Sequence, residues 1–220
     1  MKPRVILHNS VSLNGSLTGF EVNMGLHYQL AGSYEPQAHL IGSNTVLMGA
    51  ELYGEGVPPE EPQDFIKPLR DPHVPLWAVI DSGGKLAGML HTCRRFEYCR
   101  DVIVFVSEDT PPGYLLHLQE RNYDAFIAGK KKVDLKIAME VLAEQYQVKT
   151  VLVDTGRILG NLLLKKGLVD EISMLIHPEL VGKRSYTMFG NFPENIGLQL
   201  IKEETLEMEY VWLRYGVVNL

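Results

Sequence analysis

The sequence has few cysteines and no long apolar run, and these two absences exclude several classes of protein. The only cysteines, Cys93 and Cys99, are spaced neither as a zinc-binding pair nor as a redox C-x-x-C motif. Two such thiols favour a reduced, structural role in a reducing compartment. No stretch approaches the ~18 apolar residues of a membrane span. The N-terminal apolar run is broken by His8, Asn9 and Ser10 and does not read as a signal peptide. We therefore expect a cytoplasmic protein outside the membrane.

Several familiar catalytic signatures are also absent. The chain contains no G-x-G-x-x-G, G-x-x-x-x-G-K-[ST], H-E-x-x-H or G-x-S-x-G motif. Its 7 histidines are scattered without metal-ligand spacing, so no metal is predicted, and we interpret His8 as a core residue and His177 as a strand-end residue. The sequence identifies no catalytic residue. The lack of an evident general base is compatible with hydride transfer, in which a cofactor carries the reactive atom.

The net charge bears on the partners of the protein. At pH 7 the formal net charge is −6, and a mildly acidic chain is a poor candidate for binding nucleic acid or an anionic membrane. We therefore predict a small-molecule ligand. Any anionic group on that ligand must be bound locally, by helix N-termini and a few basic side chains.

Length and hydrophobic pattern predict the fold. A chain of 220 residues with 45% hydrophobic residues predicts one domain over residues 1–220. Predicted strands cover residues 4–12, 38–42, 76–81, 101–107, 124–128, 150–154 and 172–176, with a terminal strand or hairpin at 206–218. Predicted helices cover 24–34, 43–52, 114–121, 134–146 and 156–166. This alternation predicts an α/β protein with a mostly parallel, doubly wound sheet and helices on both faces.

Two junctions between a strand and a helix are candidate ligand sites. Asp154 ends one strand and Gly156 opens the next helix, where a phosphate could approach a backbone without a side chain. A similar junction occurs at Gly42 and Ser43, with Ser43 interpreted as the helix cap. The alternative is an ordinary strand-to-helix turn, which also favours glycine. The proline-rich segment 54–75 is interpreted as a loop, either a lid or a surface excursion.

Ligands of open parallel sheets bind beyond the carboxyl ends of the strands. The residues that this rule selects are Asn9, Ser12, Gly42, Asp81, Ser82, Ser107 and Asp154. They are therefore the first candidates for a binding site.

Five ordered segments of the chain carry a resemblance to a known family. These segments are NSVSLNGSLTG, HLIGSNTVLMGA, LWAVIDSGGKL, VDLKIAMEVL and VLVDTGRILGNLLLKKGLVDEISMLIHPELVG. The chain resembles the riboflavin-biosynthesis reductases. These include free-standing diaminohydroxyphosphoribosylaminopyrimidine reductases and the C-terminal reductase domain of bifunctional deaminase-reductases. The resemblance implies a dihydrofolate-reductase-like fold.

The resemblance also implies an activity and a set of site residues. The expected reaction is the NADPH-dependent reduction of the ribosylamino group of a pyrimidine 5′-phosphate to a ribitylamino group, with hydride delivered to C1′. Residues implied to bind the cofactor are Gly42, Ser43, Thr45, Asp81, Ser82, Ser107, Gly156, Arg157, Ile158 and Leu159. Those implied to bind the substrate are Asn9, Ser12, Asn14 and Asp154. Lys85 or Arg94 is a charge-based candidate for a 2′-phosphate.

The chain departs from the family pattern at two places. Asn14 stands where an acidic residue is usual, and Asp154-Thr155-Gly156 stands where the family has E-G-G. Arg157 replaces a small residue and could either clash with a phosphate or bind it. These departures leave two alternatives: a reductase of the same fold acting on a pterin or dihydrofolate-like compound, or a catalytically silent nucleotide-binding protein. We also predict a homodimer, because an exposed terminal strand at 206–218 would invite pairing.

Overall fold

A computed structural model describes residues 2–52, 56–190, 192–207 and 209–218. Within the chain, two compact units are distinguished. Unit 1 comprises residues 2–3 and 37–149, and unit 2 comprises residues 4–36 and 150–218. The single-domain organisation expected from the sequence stays a prediction.

The elements alternate along most of the chain, as the sequence pattern predicts. The strands are β1 (Arg4–Ser12), β2 (Ala38–Gly42), β3 (Leu76–Ile80), β4 (Val102–Val106), β5 (Asp124–Ile127), β6 (Thr150–Val153), β7 (Glu171–His177), β8 (Gly197–Leu206) and β9 (Tyr210–Val218). The helices are α1 (Met24–Gly32), α2 (Ser43–Leu52), α3 (Leu90–Arg95), α4 (Pro112–Glu120), α5 (Leu135–Tyr146) and α6 (Arg157–Lys165), with a 3-10 helix at Pro62–Phe65.

The strands of unit 1 are all parallel, in the order β5-β4-β3-β2. The middle strand β4 is buried on both faces. On one face Val104 belongs to a core cluster with Leu118 of α4. On the other face the ring of Phe105 contacts that of Phe126, which in turn contacts Tyr146 of α5. Helices therefore cover both faces of this sheet, as predicted.

Unit 2 combines parallel and antiparallel pairing, in the order β6-β1-β7-β9-β8. Strands β6 and β7 flank β1 in parallel, whereas β9 pairs with β7 and β8 in antiparallel fashion. Glu171 begins β7 and is buried, and its carboxylate accepts hydrogen bonds from Arg4, Tyr34 and Arg214. Burial opposes ionisation of Glu171, but the bonds from Arg214 and Tyr34 outweigh it and lower the pKa of the carboxyl.

Two short helix signals of the sequence are confirmed. The Asp134 side chain accepts a hydrogen bond from the backbone N–H of Lys136 and so caps α5. Gly167 follows α6 with φ +62°, the left-handed conformation that favours glycine at a helix end. α3 was missed because it has only six residues and its preceding residue, Met89, makes no side-chain cap.

The C-terminal prediction is wrong in one respect. The sequence analysis placed an exposed terminal strand at 206–218, but the structure has a hairpin that already begins at Gly197. β9 pairs on both sides, so the edge strand is β8. The sequence pattern failed because β8 is solvent-exposed over most of its length and shows little apolar alternation.

The proline-rich segment is anchored by arginine side chains of unit 1. Buried Arg94 donates to the carbonyls of Asp64, Arg121 and Asn122 and forms an ion pair with Asp101. Asp101 and Asn122 stand just before β4 and β5, at the amino ends of these strands. Over its described part, the segment is therefore a surface excursion attached away from the carboxyl ends where ligands were expected.

Arg94 is consequently not the 2′-phosphate partner that charge suggested. Its side chain is 3% exposed, and its guanidinium also lies 3.8 Å from the centre of the Tyr123 ring. A charge that is buried and bonded on every side cannot turn towards a ligand without leaving those partners unpaired. Lys85, which is exposed, stays a prediction.

Candidate active site

The strand ends of unit 1 lie level with one another. Gly42 pairs with Ile80, and Ile80 pairs with Phe105, so the carboxyl ends of β2, β3 and β4 form one edge. The turn residues Asp81 and Ser107 follow directly at that edge. The structure thus brings the unit 1 candidates to the same end of the sheet.

Three loops at this edge are joined by hydroxyl groups. Ser107 Oγ and Thr110 Oγ1 each donate to the carbonyl oxygen of Ser82 over 3.0 Å. The Ser82 hydroxyl in turn accepts the backbone N–H of Val133 at 2.9 Å. These groups therefore set the shape of the loops after β3 and β4 and before α5.

Asp81 shapes the turn after β3. Its two carboxylate oxygens accept the backbone N–H groups of Lys85 and Leu86, each at 3.0 Å, and the residue is buried. The carboxylate therefore binds its own loop. A contribution of Asp81 to a cofactor through this loop stays a prediction.

The first junction differs slightly from the sequence interpretation. α2 begins at Ser43 itself, directly after Gly42 ends β2, so Ser43 lies in the first turn of the helix instead of preceding it. Thr45 lies in the same turn and is half-buried. The N-terminal turn of α2 therefore stands at the carboxyl end of β2, where backbone amides favour an anion.

The second junction, in unit 2, is open around its glycine. Gly156 precedes α6 with φ −66° and no side-chain cap, and a Cβ placed there would meet nothing within 4 Å. The conformation does not require glycine, so the missing side chain leaves space rather than flexibility. The guanidinium of Arg157 stacks on the ring of Tyr186 at 4.2 Å. Ile158 is exposed, whereas Leu159 is buried.

Asn9 brings a buried amide to the same end of unit 2. It is buried near the end of β1, and its Nδ2 has no hydrogen-bond partner among the described residues. Strand alternation places Asn9 on the face of Leu7, whose side chain lies against Gly160 of α6. A buried donor without a partner suits a polar ligand atom.

Asn14 is held by main-chain hydrogen bonds. Its Oδ1 accepts the N–H of Val181 at 3.0 Å and the Ser12 hydroxyl at 2.8 Å, while its Nδ2 donates to the Val181 carbonyl at 2.8 Å. Ser12 Oγ also accepts the N–H of Ser16. An aspartate could not make the donation to Val181, so this clamp accounts for asparagine where the family has an acidic residue.

The structure reveals a site residue that the sequence analysis missed. His27 of α1 lies with Nε2 3.2 Å from Asp154 Oδ2 and Nδ1 3.0 Å from Ser10 Oγ. A single histidine in a weakly amphipathic helix carried no signal, because its carboxylate partner follows 127 residues later in the chain.

The cysteines behave as the sequence analysis expected. Both are free and buried, and burial raises the pKa of the Cys93 thiol to about 11. Burial likewise raises the pKa of Cys99. Neither thiol is therefore a nucleophile near neutral pH.

Two searches of the described residues returned nothing. In the part of the chain that the structure describes, no three or more His, Cys, Asp or Glu side chains are grouped as a metal ion would require. Over the same residues, no helix is both long and apolar enough to cross a membrane.

The fold defines an α/β protein of dihydrofolate-reductase-like architecture, with a mostly parallel sheet and candidate binding residues at its strand ends. The chain belongs to the RibD C-terminal domain family, whose model matches residues 3–212.

Individual relatives agree with this assignment. A 2,5-diamino-6-ribosylamino-4(3H)-pyrimidinone 5′-phosphate reductase from Methanothermobacter thermautotrophicus is 29% identical over 195 residues, covering 84% of this chain and 82% of the relative. The riboflavin biosynthesis reductase Rib7 of Saccharomyces cerevisiae superimposes with a TM-score of 0.69 at 19% identity, covering 99% of this chain and 90% of Rib7. Acinetobacter baumannii RibD gives 0.70 at 21% identity; the match covers 99% of this chain but only 58% of RibD.

Proposed function

We propose that this chain is an NADPH-dependent reductase that converts the ribosylamino group of a pyrimidine 5′-phosphate to a ribitylamino group. Family membership and the named pyrimidine reductase support this reaction class. The observation that carries the proposal is the β6–α6 junction. There an open, uncapped helix N-terminus at Gly156 directly follows Asp154, the carboxylate paired with His27.

The proposed reaction consumes one proton and one hydride. The C1′–O4′ bond of the ribosylamine breaks, O4′ takes up the proton, and the nitrogen lone pair forms a C1′ iminium. NADPH supplies the hydride that adds to C1′, and the electron pair of the C=N bond returns to nitrogen. The protein must therefore position the two reactants and supply a proton, which are the roles expected in a cofactor-dependent reduction.

The cofactor residues proposed from the family resemblance are divided between the units. In unit 1 they are Gly42, Ser43, Thr45, Asp81, Ser82 and Ser107. In unit 2 they are Gly156, Arg157, Ile158 and Leu159. The free first-turn amides of α2 and α6 favour phosphate groups. For Leu159, whose side chain is buried, the backbone amide is the group that we propose to face the cofactor.

The substrate residues are proposed in unit 2. Asp154 and Asn9 offer a carboxylate and an unpartnered amide donor, whereas Ser12 and Asn14 hold the loop that follows β1. The clamp on Val181 accounts for Asn14 without a change of substrate. This removes one motive for the pterin alternative and favours the ribosyl phosphate.

We also propose a homodimer and a cytoplasmic location. β8 is a ten-residue edge strand in unit 2 that exposes Leu198, Leu200 and Ile201, and such an edge favours pairing with a second copy. The two buried free thiols suit a reducing compartment. Light scattering at micromolar concentration tests the dimer, and a monomeric mass would refute it.

The function is tested by following NADPH consumption with the diaminopyrimidine ribosyl phosphate, with dihydrofolate in parallel. Turnover of the ribosyl phosphate alone is expected. Turnover of dihydrofolate alone would move the protein to pterin chemistry. Tight NADPH binding without turnover of either compound would make it a silent nucleotide-binding protein. Replacing NADPH by NADH in the same assay measures the cofactor preference.

A further inference from the structure

His27 connects an enclosed polar group to a partly open one. Its ring is 4% exposed and lies between Ser10 of β1 and Asp154 beyond β6. The Asp154 side chain is 29% exposed, so the carboxylate reaches the surface of unit 2 while the imidazole does not. A proton held on His27 therefore leaves most directly through Asp154.

The two polar partners of His27 suit both of its protonation states. A carboxylate only accepts, so Asp154 takes the N–H of Nε2 whether the ring is neutral or charged. A hydroxyl both donates and accepts, so Ser10 can donate to a bare Nδ1 or accept from a protonated Nδ1. Neither state leaves a buried nitrogen of His27 unsatisfied, which removes the usual penalty for changing the protonation of a buried group.

A neighbouring histidine lacks this freedom. His177 of β7 accepts the backbone N–H of Asn23 on Nε2 at 3.0 Å, and its Nδ1 lies 3.3 Å from the carbonyl oxygen of Leu175. Protonating Nε2 would break the first bond. Burial also lowers the pKa of His177. His177 is therefore a neutral structural residue, which makes it a matched control for His27.

Resting on the function proposed above, we infer that His27 is a positioning residue that holds, beside Asp154, the proton consumed when the ribosylamine ring opens. Asp154 gives a proton to O4′ as the C1′–O4′ bond breaks. The N–H of His27 Nε2 then returns a proton to Asp154, the Ser10 hydroxyl turns to donate to the remaining ring nitrogen, and solvent restores the lost proton through the exposed carboxyl.

The charged and titratable neighbours of His27 come from several elements. Asp154 faces it from the end of β6, and the ring centre of His8 in β1 lies 4.5 Å away. His177 of β7 is close enough for the two charges to repel, and Tyr28 of α1 lies with its ring centre 5.0 Å away. Because His27 and Asp154 share a hydrogen bond, the pair takes up and releases protons as a unit.

The order Ser10, His27 and Asp154 resembles a hydrolytic triad in composition only. Ser10 lies within β1 and is 7% exposed, so its hydroxyl lacks the open position that a nucleophile needs to attack a substrate. The exposed member of the set is the carboxylate. This placement suits proton delivery and not acyl transfer.

The kinetic test uses His27→Gln, whose amide can donate to Asp154 but cannot carry an extra proton. We expect kcat with the ribosyl phosphate to fall by about 10²-fold, in the range of lost acid–base assistance. The affinity for NADPH should stay within about twofold, since only a transition-state contribution is lost. The decline of kcat with rising pH should move to lower pH, because the carboxyl alone keeps its proton only in acid. His177→Gln should leave the wild-type pH profile unchanged.

A second measurement is independent of turnover. In nitrogen-15 histidine spectra, we expect a slowly exchanging His27 Nε2 proton that disappears in His27→Gln and exchanges rapidly in Asp154→Ala. A His27 signal insensitive to Asp154→Ala, or a His27→Gln enzyme with wild-type kcat and pH profile, overturns the inference. If wild-type protein binds NADPH but fails to reduce the ribosyl phosphate while the signal depends on Asp154, the proposed function falls and the proton-holding pair stands.

Discussion

Arg94 in unit 1 and His27 in unit 2 are both buried polar side chains, yet they have opposite characters. The guanidinium of Arg94 spends its donors on three carbonyls and the Asp101 carboxylate, none of which can reverse its role. His27 has a hydroxyl and a partly exposed carboxylate, which tolerate a change of protonation. A saturated buried charge holds structure together, whereas a buried group with reversible partners can perform chemistry. The following variants test this contrast.

The largest expected effect is on stability, from Arg94→Met. Removing this cation leaves Asp101 and three carbonyls without their donor, and we expect a loss of about 3–5 kcal/mol in the free energy of unfolding, measured by urea titration. Arg100→Met is the matched control, because Arg100 makes one hydrogen bond, to the carbonyl of Pro72, worth about 0.5–1.5 kcal/mol. Equal losses in the two variants would contradict the distinction drawn for Arg94.

The next effect is on cofactor binding, from Gly156→Val. The protein itself has room for the side chain, so stability should change by no more than about 0.5 kcal/mol. The branched side chain would stand in the proposed phosphate path, and NADPH affinity should fall at least about 100-fold, equivalent to about 2.7 kcal/mol.

Gly113→Val provides the control for this variant. Gly113 also lies in the first turn of a helix with nothing near its Cβ position, but it has no proposed ligand. NADPH binding measured by fluorescence should be unaffected there. Unchanged affinity in Gly156→Val would refute the assignment of the β6–α6 junction to the cofactor.

A smaller effect is expected from Asn14→Asp, which restores the acidic residue usual in the family. The carboxylate cannot donate to the carbonyl of Val181, and the loss of this bond should cost about 1–3 kcal/mol, seen as faster hydrogen exchange around Val181. Asn195→Asp introduces the same charge at an exposed position as a control. Improved stability or a lower KM in Asn14→Asp would show that the clamp does not explain the asparagine.

The smallest effect concerns pH. Burial lowers the pKa of His177 and, in unit 1, of His117, so the folded protein binds fewer protons at these sites than the unfolded chain. Their stabilising contribution is therefore complete above the ordinary imidazole value near about 6.5 and is lost as pH falls towards the lowered values. Urea midpoints between pH ~7 and ~5 measure this loss, and His177→Gln should reduce its slope.

Carboxylates do not obscure this window. The pKa of Glu60 and that of Asp64 are lowered, chiefly by hydrogen bonds from Arg121 and Arg95 respectively. Their contribution is lost only below the ordinary carboxyl values of about 4. A midpoint that stays constant across the imidazole range would contradict the assignment of His177 as a neutral structural residue.

The sequence alone determined the order of strands and helices, the cap at Asp134, the left-handed Gly167 and the two junctions at Gly42 and Gly156. These features depend on periodicity and turn chemistry within a few residues, which a single segment carries by itself. The family resemblance added a candidate cofactor and substrate, again from contiguous motifs.

Only the tertiary structure decided what the individual polar side chains do. It placed Asp154 beside His27, closed Asn14 onto Val181, and enclosed Arg94 among carbonyls of unit 1. The bonded partners of Asn14 and His27 lie more than a hundred residues away in sequence, and they meet through strand register and packing. No local pattern encodes such a meeting, because the hydrogen-bonding capacity of a side chain is the same whether its partner is a distant backbone, a neighbouring acid or a ligand.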